Sequence, residues 1–498
     1  MALRVRRRPP PRERRARKDP GDRRARLGQD EVSAPHPVFA RRAGVLLHLS
    51  SLPARHGVGD LGPEAHRFLD WLQAAGLGWW QMLPIGPVGP GSSPYSSSSA
   101  FAGEPLFVSL EGLARDGWLA TADLAGPAEL RSGPARWRSA LAFKTPRFAA
   151  AYRRFVRRRG ATSGRFRAFI SRAEEWLEPY VEHAQGEPGL LRFLQFQFDC
   201  QWRALRDAAG ARRVRFLGDV PIFVHADSAD VVEHPELFIL DRSGAPRVVS
   251  GCPPDAFSRT GQLWGHPLYD WKAHERTRFR WWRARIARQL DLFDALRLDH
   301  FIGYHRAWHI PARAATAEGG RWVSARGRSL LAALARDHGA LPFVAEDLGD
   351  VSRGVHALRD EFGLPGMRVL QMGFGEDAYH LPHNAPENAV IVTGTHDNDT
   401  IRGWWRSLRA PERRRVLAYA GGSARTVPEQ LARLALTSRA HTALIPMQDL
   451  LGLGGAARMN RPGKPRGNWR WRLPRGAASR TLARRLHEQC EAAERLPR

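Results

Sequence analysis

Three acidic residues stand just beyond short apolar runs that end in loop-forming residues. Asp299 follows Ala-Leu-Arg-Leu at 295–298, Glu346 follows Pro-Phe-Val-Ala at 342–345, and Asp397 follows Gly-Thr-His at 394–396. A single Asp in such a place is most often a helix cap or a loop residue. Three carboxylates brought to one mouth by successive strands are a different matter. They supply what glycosyl transfer through an oxocarbenium-like transition state needs: a nucleophile, a proton donor and a group that holds the substrate. Arg297 lies two residues before Asp299, so on an extended strand both side chains leave the same face. A cation there keeps Asp299 ionised, as a nucleophile requires.

For such residues to converge, the runs that carry them must be parallel strands of one sheet. After residue 40, eight apolar runs ending in Gly, Pro, Asp or Asn occur in order, at 45–49, 79–83, 214–217, 295–298, 342–345, 367–371, 389–393 and 442–446. Unbroken apolar runs of this length suit strands buried on both faces. Amphipathic stretches separate most of them, such as 63–75, where Phe68, Leu69 and Leu72 share a helical face. Strand and helix alternating to a count of eight predicts an α/β protein with the (β/α)8 TIM-barrel architecture, whose active site is built by the loops after the strand C-termini. More than 120 residues separate the second and third runs, well beyond a minimal crossover, so insertions are expected after strands 2 and 3. The first spans about 90–205 and passes from a Gly/Ser/Pro loop into Arg/Ala/Phe-rich helix, including 190–202; the second spans about 225–275 and is loop-rich, with Pro253, Pro254, Gly261 and Gly265. No separate C-terminal β domain is expected.

Composition bounds the alternatives. Of 498 residues, 43% are hydrophobic and 26% charged, which is ordinary globular usage. No apolar run approaches the roughly 20 residues of a membrane-spanning helix, and no membrane partner is expected. The three cysteines, Cys200, Cys252 and Cys490, are too scattered for a disulfide framework, and Cys252 lacks a His or Cys neighbour at metal-binding spacing. A reducing, cytoplasmic setting without metal or cofactor is expected. The net charge of +27 is large enough to attract polyanions and raises a nucleic-acid-binding alternative. Residues 1–40 hold 12 Lys+Arg and 5 acids, are rich in Pro and lack apolar periodicity. They are expected to be a disordered basic arm ahead of a catalytic body at 41–498, and not a secretory signal. Elsewhere the surplus is mostly Arg, as at Arg153, Arg154, Arg157, Arg158 and Arg159, without interleaved base-stacking aromatics. A solvated basic surface is therefore the expectation, with no nucleic-acid partner.

Several longer segments carry more information together than any one does alone. They are SPYSSSSAFAG (93–103), GDVPIFV (218–224), DSADV (227–231), PPDAFSRTGQLWG (253–265), RLDHF (297–301), AEDLG (345–349), GTHDNDT (394–400) and MNRPG with GNWRWR (459–472). In this number and order they resemble the amylomaltases, or 4-α-glucanotransferases of glycoside hydrolase family 77, which include the plant disproportionating enzyme and belong to the wider α-amylase clan. The resemblance covers nearly all of the chain after about residue 40. It implies that Asp299 is the nucleophile, Glu346 the general acid/base, and Asp397 a stabiliser that binds sugar hydroxyls. It further implies that Arg297 orients Asp299, that His396 bonds a sugar hydroxyl, that Tyr95 is a stacking platform and that Trp264 covers the acceptor side. Asp227 and Asp255 fall in motifs expected to bind substrate, and Asp219 supports the centre from behind. His48 and His300 are expected to be structural. The implied activity is retaining transfer of α-1,4-glucan segments among maltooligosaccharides and starch- or glycogen-type glucans, by a monomer or weak homo-oligomer. An α-1,4-glucan hydrolase of the same clan would carry the same carboxylates. Three positions depart from the family pattern: Glu104 stands where Asn is expected, His266 replaces Asn, and Cys252 replaces an aliphatic residue. Glu104 and His266 are expected in sugar-facing loops.

Overall fold

The fold is that of a computed structural model, which describes residues 36–254, 258–375, 377–464 and 466–497. Its centre is a closed barrel of eight strands: β1 (Arg42–Leu46), β2 (Trp79–Gln81), β3 (Arg215–Val220), β4 (Ala295–Leu298), β5 (Phe343–Ala345), β6 (Gly366–Val369), β7 (Ala389–Val392) and β8 (Thr442–Pro446). Each strand pairs in parallel with its neighbours in sequence, and β8 closes on β1. Almost every residue in them is buried, which explains the unbroken apolar runs. Side chains nevertheless alternate: Val390 and Val392 pack inside the barrel with Leu217, Val344, Met367 and Leu444, while Ala389 and Ile391 join the cluster under the surrounding helices.

All eight expected strands form, two of them with a bound shifted by three residues. β1 begins three residues early, at polar Arg42, and the run ends in a 3-10 turn at Leu49–Ser51. In a closed barrel the backbone ladder to β8 selects the strand, so a buried Arg can start it. β3 continues past Leu217 through Gly218 and Asp219, opposite Leu296 and Arg297. A Gly-Asp pair reads as a loop signal, but Gly218 is in the strand for space: a Cβ there would lie 2.4 Å from the Phe293 ring.

Between β2 and β3 the chain forms three long helices, Trp137–Arg157, Gly164–His183 and Pro188–Ala211. Between β3 and β4 it forms short helices and two strands, Val248–Cys252 and Gln262–Pro267, that join Arg306–Pro311 and Arg321–Ser324 in a four-stranded antiparallel sheet. The loop-rich reading missed these strands because Gly251, Gly261 and Gly265 and a bulge between Val249 and Gly251 break their alternation. The expected arm also ends earlier than residue 40. Pro37–Phe39 is a 3-10 turn whose Phe39 is buried and stacks on Trp79 in the barrel interior; residues 1–35 lie outside the described residues. Among the described residues no strand follows β8, and no helix is long and apolar enough to cross a membrane.

The seam between β1 and β8 is fastened from below by Arg495, which is fully buried and donates to the carbonyls of Leu436, Ser438, Ala440, His441 and Arg42. These lie before β8 and at the start of β1, the barrel end opposite the strand C-termini. Arg495→Met removes the donors while leaving buried carbonyls behind, a loss of about 2–4 kcal/mol. A clearly lowered denaturant midpoint is expected, with catalytic turnover per folded molecule nearly unchanged.

Candidate active site

The strand register builds the site. Asp219 and Arg297 are cross-strand partners on β3 and β4, so their side chains meet at the barrel mouth. Arg297 Nη1 donates to both oxygens of Asp219 at 2.7 and 2.9 Å and to Asp299 Oδ1 at 2.8 Å. Its Nη2 lies 3.9 Å from Glu346 Oε2. One guanidinium thus faces three carboxylates. Burial alone would lower its proton affinity, but Asp219, Asp299 and Glu346 raise it well above the ordinary arginine value.

Glu346 leaves the end of β5, with its backbone N–H bonded to Leu298 carbonyl. Burial pushes its carboxyl pKa well above the ordinary glutamate value; Arg297 opposes this and the Asp299 charge adds to it. Its Oε2 accepts from the backbone N–H of His300 at 2.6 Å. His300 has φ of +46°, a left-handed conformation that a non-glycine residue adopts at some cost. The turn lets Asp299 N bond Val220 carbonyl while His300 N reaches the neighbouring carboxylate. The ring of His300, held neutral by burial with its pKa lowered to about 4, meets Trp264 edge-on at 4.8 Å. Trp264 reaches the mouth from the small antiparallel sheet.

The third carboxylate comes from a loop. Asp397 sits between β7 and helix Ile401–Ser407, in a turn closed by Thr395 N and Oγ1 donating to Asn398 Oδ1. Its Oδ1 accepts from Asn460 Nδ2 at 2.6 Å and lies 3.3 Å from His396 Nε2, while Arg458 holds its carbonyl. The carboxylate is 45% exposed, open to a ligand. Tyr95 joins this loop to the strand cluster: its hydroxyl donates to Asp219 Oδ2 at 2.7 Å, and its ring stacks on His396 at 5.0 Å and tilts against Trp469 at 5.8 Å. Burial raises its phenol well above the ordinary value, so it remains a donor.

Asp299, Glu346, Asp219, Arg297, Tyr95, His396, Asp397 and Trp264 therefore form one connected group. Asp227 does not join it directly: its carboxylate is 84% exposed and lies 3.6 Å from His183. Asp255 lies outside the described residues, as does Phe257. Glu104 does not face the mouth. It is buried, accepts from Val88 N and Leu106 N, and caps the 3-10 turn Pro105–Phe107, a structural role. His266 does lie near Asp299, and burial lowers its pKa to about 4. His48 is fully buried and neutral behind His396, with its pKa lowered to about 3.

Several contributors had no role in the sequence reading. Asn460 and Trp469 belong to the MNRPG and GNWRWR segments, whose order was legible but whose contact with Asp397 and Tyr95 was not. Asp449, in the PMQD stretch after β8, ties both ends of the Asp397 loop by accepting from Thr393 Oγ1 and Ile401 N, each at 2.7 Å. Burial raises its pKa to about 7.

A family model described as 4-alpha-glucanotransferase matches residues 47–186 and 181–478. The 4-alpha-glucanotransferase of Thermus thermophilus is 43% identical over 500 residues, covering 92% of this chain and 99% of that protein. The chloroplastic/amyloplastic 4-alpha-glucanotransferase of Arabidopsis thaliana is 41% identical, covering 89% of this chain and 83% of its own length. The amylomaltase of Streptococcus agalactiae, solved with acarbose, superposes with a TM-score of 0.87 at 30% identity, covering 91% of this chain and 99% of that one. With the barrel, the mouth cluster and matches along nearly the whole length in agreement, the chain belongs to the 4-α-glucanotransferase family.

Proposed function

We propose that this enzyme moves α-1,4-glucan segments from a donor maltooligosaccharide, or a starch- or glycogen-type glucan, to the 4-hydroxyl of an acceptor glucan by double displacement with net retention. The observation that carries the proposal is the single Arg297 guanidinium shared by Asp219, Asp299 and Glu346. It fixes Asp299 as a paired carboxylate while Glu346, buried and only loosely paired, keeps its proton. Asp299 attacks the anomeric carbon as Glu346 protonates the departing glycosidic oxygen, leaving a β-linked glycosyl-enzyme. Glu346, now a carboxylate, takes the proton of the acceptor 4-hydroxyl; that oxygen displaces Asp299 and the α-link is remade. Asp397 and His396 hold sugar hydroxyls, and the Tyr95 ring lies beside them as an apolar wall. The donor and acceptor glucans are the only partners the chemistry requires.

Incubation with maltotriose tests the proposal: a ladder of shorter and longer maltooligosaccharides is expected, with few new reducing ends. Glucose and maltose alone would show a hydrolase. Trp264→Ala opens the acceptor side to water and is expected to raise the ratio of new reducing ends to transferred chains several-fold; an unchanged ratio would place acceptor selection elsewhere.

Asp299→Asn and Glu346→Gln are each expected to lower turnover on maltotriose by about 10²–10⁴-fold or more with the melting temperature preserved. α-Maltosyl fluoride separates their roles, because fluoride departs without a proton: the Glu346 variant should form the glycosyl-enzyme from it and the Asp299 variant should not. The sign of the pH dependence follows from the raised Glu346 pKa. The protonated form is the active one, so kcat/KM falls as pH rises, with its midpoint well above the ordinary glutamate value of 4.5. That limb is expected in the wild-type pH-rate profile on maltotriose and is expected to be absent from its profile on the fluoride, whose departure needs no proton.

A further inference from the structure

The second insertion and the loop after β3 bring two histidines to the wall of the mouth that carries Trp264. Trp264 and His266 lie on the inserted strand Gln262–Pro267, and both turn inward. Trp264 meets His300 edge-on at 4.8 Å, and His266 lies close enough to Asp299 for that carboxylate to favour a proton on the ring. Asp299 and His300 are chain neighbours, so the two rings form one surface beside the nucleophile. Between them Gly265 has φ of +80°, a left-handed conformation open to glycine. Leu263 and Gly265 are exposed, whereas Gln262, Trp264 and His266 are half-buried. Gln262 Oε1 accepts from Trp264 Nε1 at 3.2 Å and so holds the indole. His225 meets His266 edge-on, with ring centroids 6.0 Å apart. The Nδ1 of His225 lies 3.2 Å from both the backbone N and the carbonyl O of Asp227, which leaves Nε2 for another partner. Among the described residues, His266 makes no hydrogen bond through its ring.

We propose that His266, paired with His225, selects the acceptor by bonding a hydroxyl that flanks the reacting 4-hydroxyl of the incoming sugar. The inference rests on the glucan-transfer reading above and adds the side chains that choose sugar over water. The acceptor 4-hydroxyl must reach the anomeric carbon held by Asp299, so a ring beside Asp299 is within range of the adjoining 3- and 6-hydroxyls. Burial lowers the His266 pKa to about 4, and His225 adds to this against the pull of Asp299. The ring is therefore neutral near pH 7, with one nitrogen a donor and the other an acceptor. A sugar hydroxyl also donates and accepts, so it fits such a ring in either sense. The two imidazoles are too far apart to bond each other, and their nitrogens are left for the ligand. A water molecule could make the same hydrogen bond, but only a sugar also lays an apolar C–H face against the fixed Trp264 indole. The two contacts together favour sugar as the second substrate. An acceptor lacking the hydroxyl leaves a partly buried nitrogen without its partner, and this penalty gives the selection.

The test gives the full-length enzyme α-maltosyl fluoride as donor, with glucose, 3-deoxyglucose or 6-deoxyglucose as acceptor. The ratio of transfer product to maltose is decided after the glycosyl-enzyme has formed, so it reads acceptor capture and not donor cleavage. In the wild type, one of the two deoxy sugars is expected to give a ratio about 10-fold below that of glucose. In His266→Ala the ratio with glucose should itself fall about 10-fold, and the further penalty for the deoxy sugar should vanish, because hydroxyl and partner are coupled. Should His266→Ala fold poorly, His225→Ala carries the same expectation. Equal capture of all three sugars by the wild type, an unchanged ratio in a folded variant, or a deoxy penalty as large in the variant as in the wild type would each overturn the proposal. A wild type that only hydrolyses the fluoride would instead overturn the transfer reading beneath it.

Discussion

A guanidinium sunk among three carboxylates at the end of a barrel is the constraint on which the rest of this structure depends. The Arg297 side chain is 6% exposed and its main counter-ion, Asp219, is fully buried. Neither charge is tolerable there without the other: removing one partner of such a pair typically costs 3–5 kcal/mol. The pair must therefore be assembled by elements that do not move, which parallel strands in fixed register provide. Gly218 lets β3 run close under Phe293, so that Asp219 remains a strand residue opposite Arg297. Once those two are placed, Asp299 two residues on and Glu346 at the end of the next strand fall on the same cation. Their unequal distances from it, 2.8 and 3.9 Å, separate a tightly paired carboxylate from one whose burial favours the proton.

The remaining carboxylate obeys different rules. Asp397 belongs to no strand, and its loop is positioned by polar contacts from several parts of the chain: Asn460 and Arg458 on one side, Asp449 beneath, and the stacked rings of Tyr95 and His396. Tyr95 is the link between the halves, because its hydroxyl is bonded to Asp219 while its ring is packed on His396. A rigid strand half that holds the bond-making groups thus faces a loop half that remains open to sugar hydroxyls. Loops carrying function on a rigid scaffold are common; here the Tyr95 phenol links the two halves.

How much of this could be read from the chain depended on range. Buried parallel strands advertise themselves locally, so all eight were legible, as was the shared face of Arg297 and Asp299, which needs only the two-residue repeat. Strand bounds failed where tertiary pairing overrode composition, at Arg42 and at Gly218–Asp219. The small antiparallel sheet was missed because glycines interrupt its short strands, and Phe39 was assigned to the arm because a single buried aromatic after a basic stretch has no periodicity. Motif order identified MNRPG and GNWRWR, but the contact of Asn460 with Asp397 spans 63 residues and follows from no local rule. Glu104 shows the opposite error: a polar residue in a motif was read as facing substrate, whereas it caps backbone N–H groups inside the protein.

The arginine surplus takes on another meaning once its donors are followed. A formal charge of +27 invites a polyanion, yet many of these side chains are occupied by the main chain. Arg495 gathers carbonyls at the barrel seam, Arg41 binds those of Ser438 and Ala493, Arg472 those of Gly133 and Leu130, Arg413 those of Trp405 and Arg406, and Arg147 those of Asp123 and Phe143. Long insertions and loops end in carbonyls that no ladder satisfies, and a planar group with five donors can serve several at once. Lysine could not do so with the same geometry. A chain that fastens its loops with arginine acquires positive charge as a consequence of its architecture.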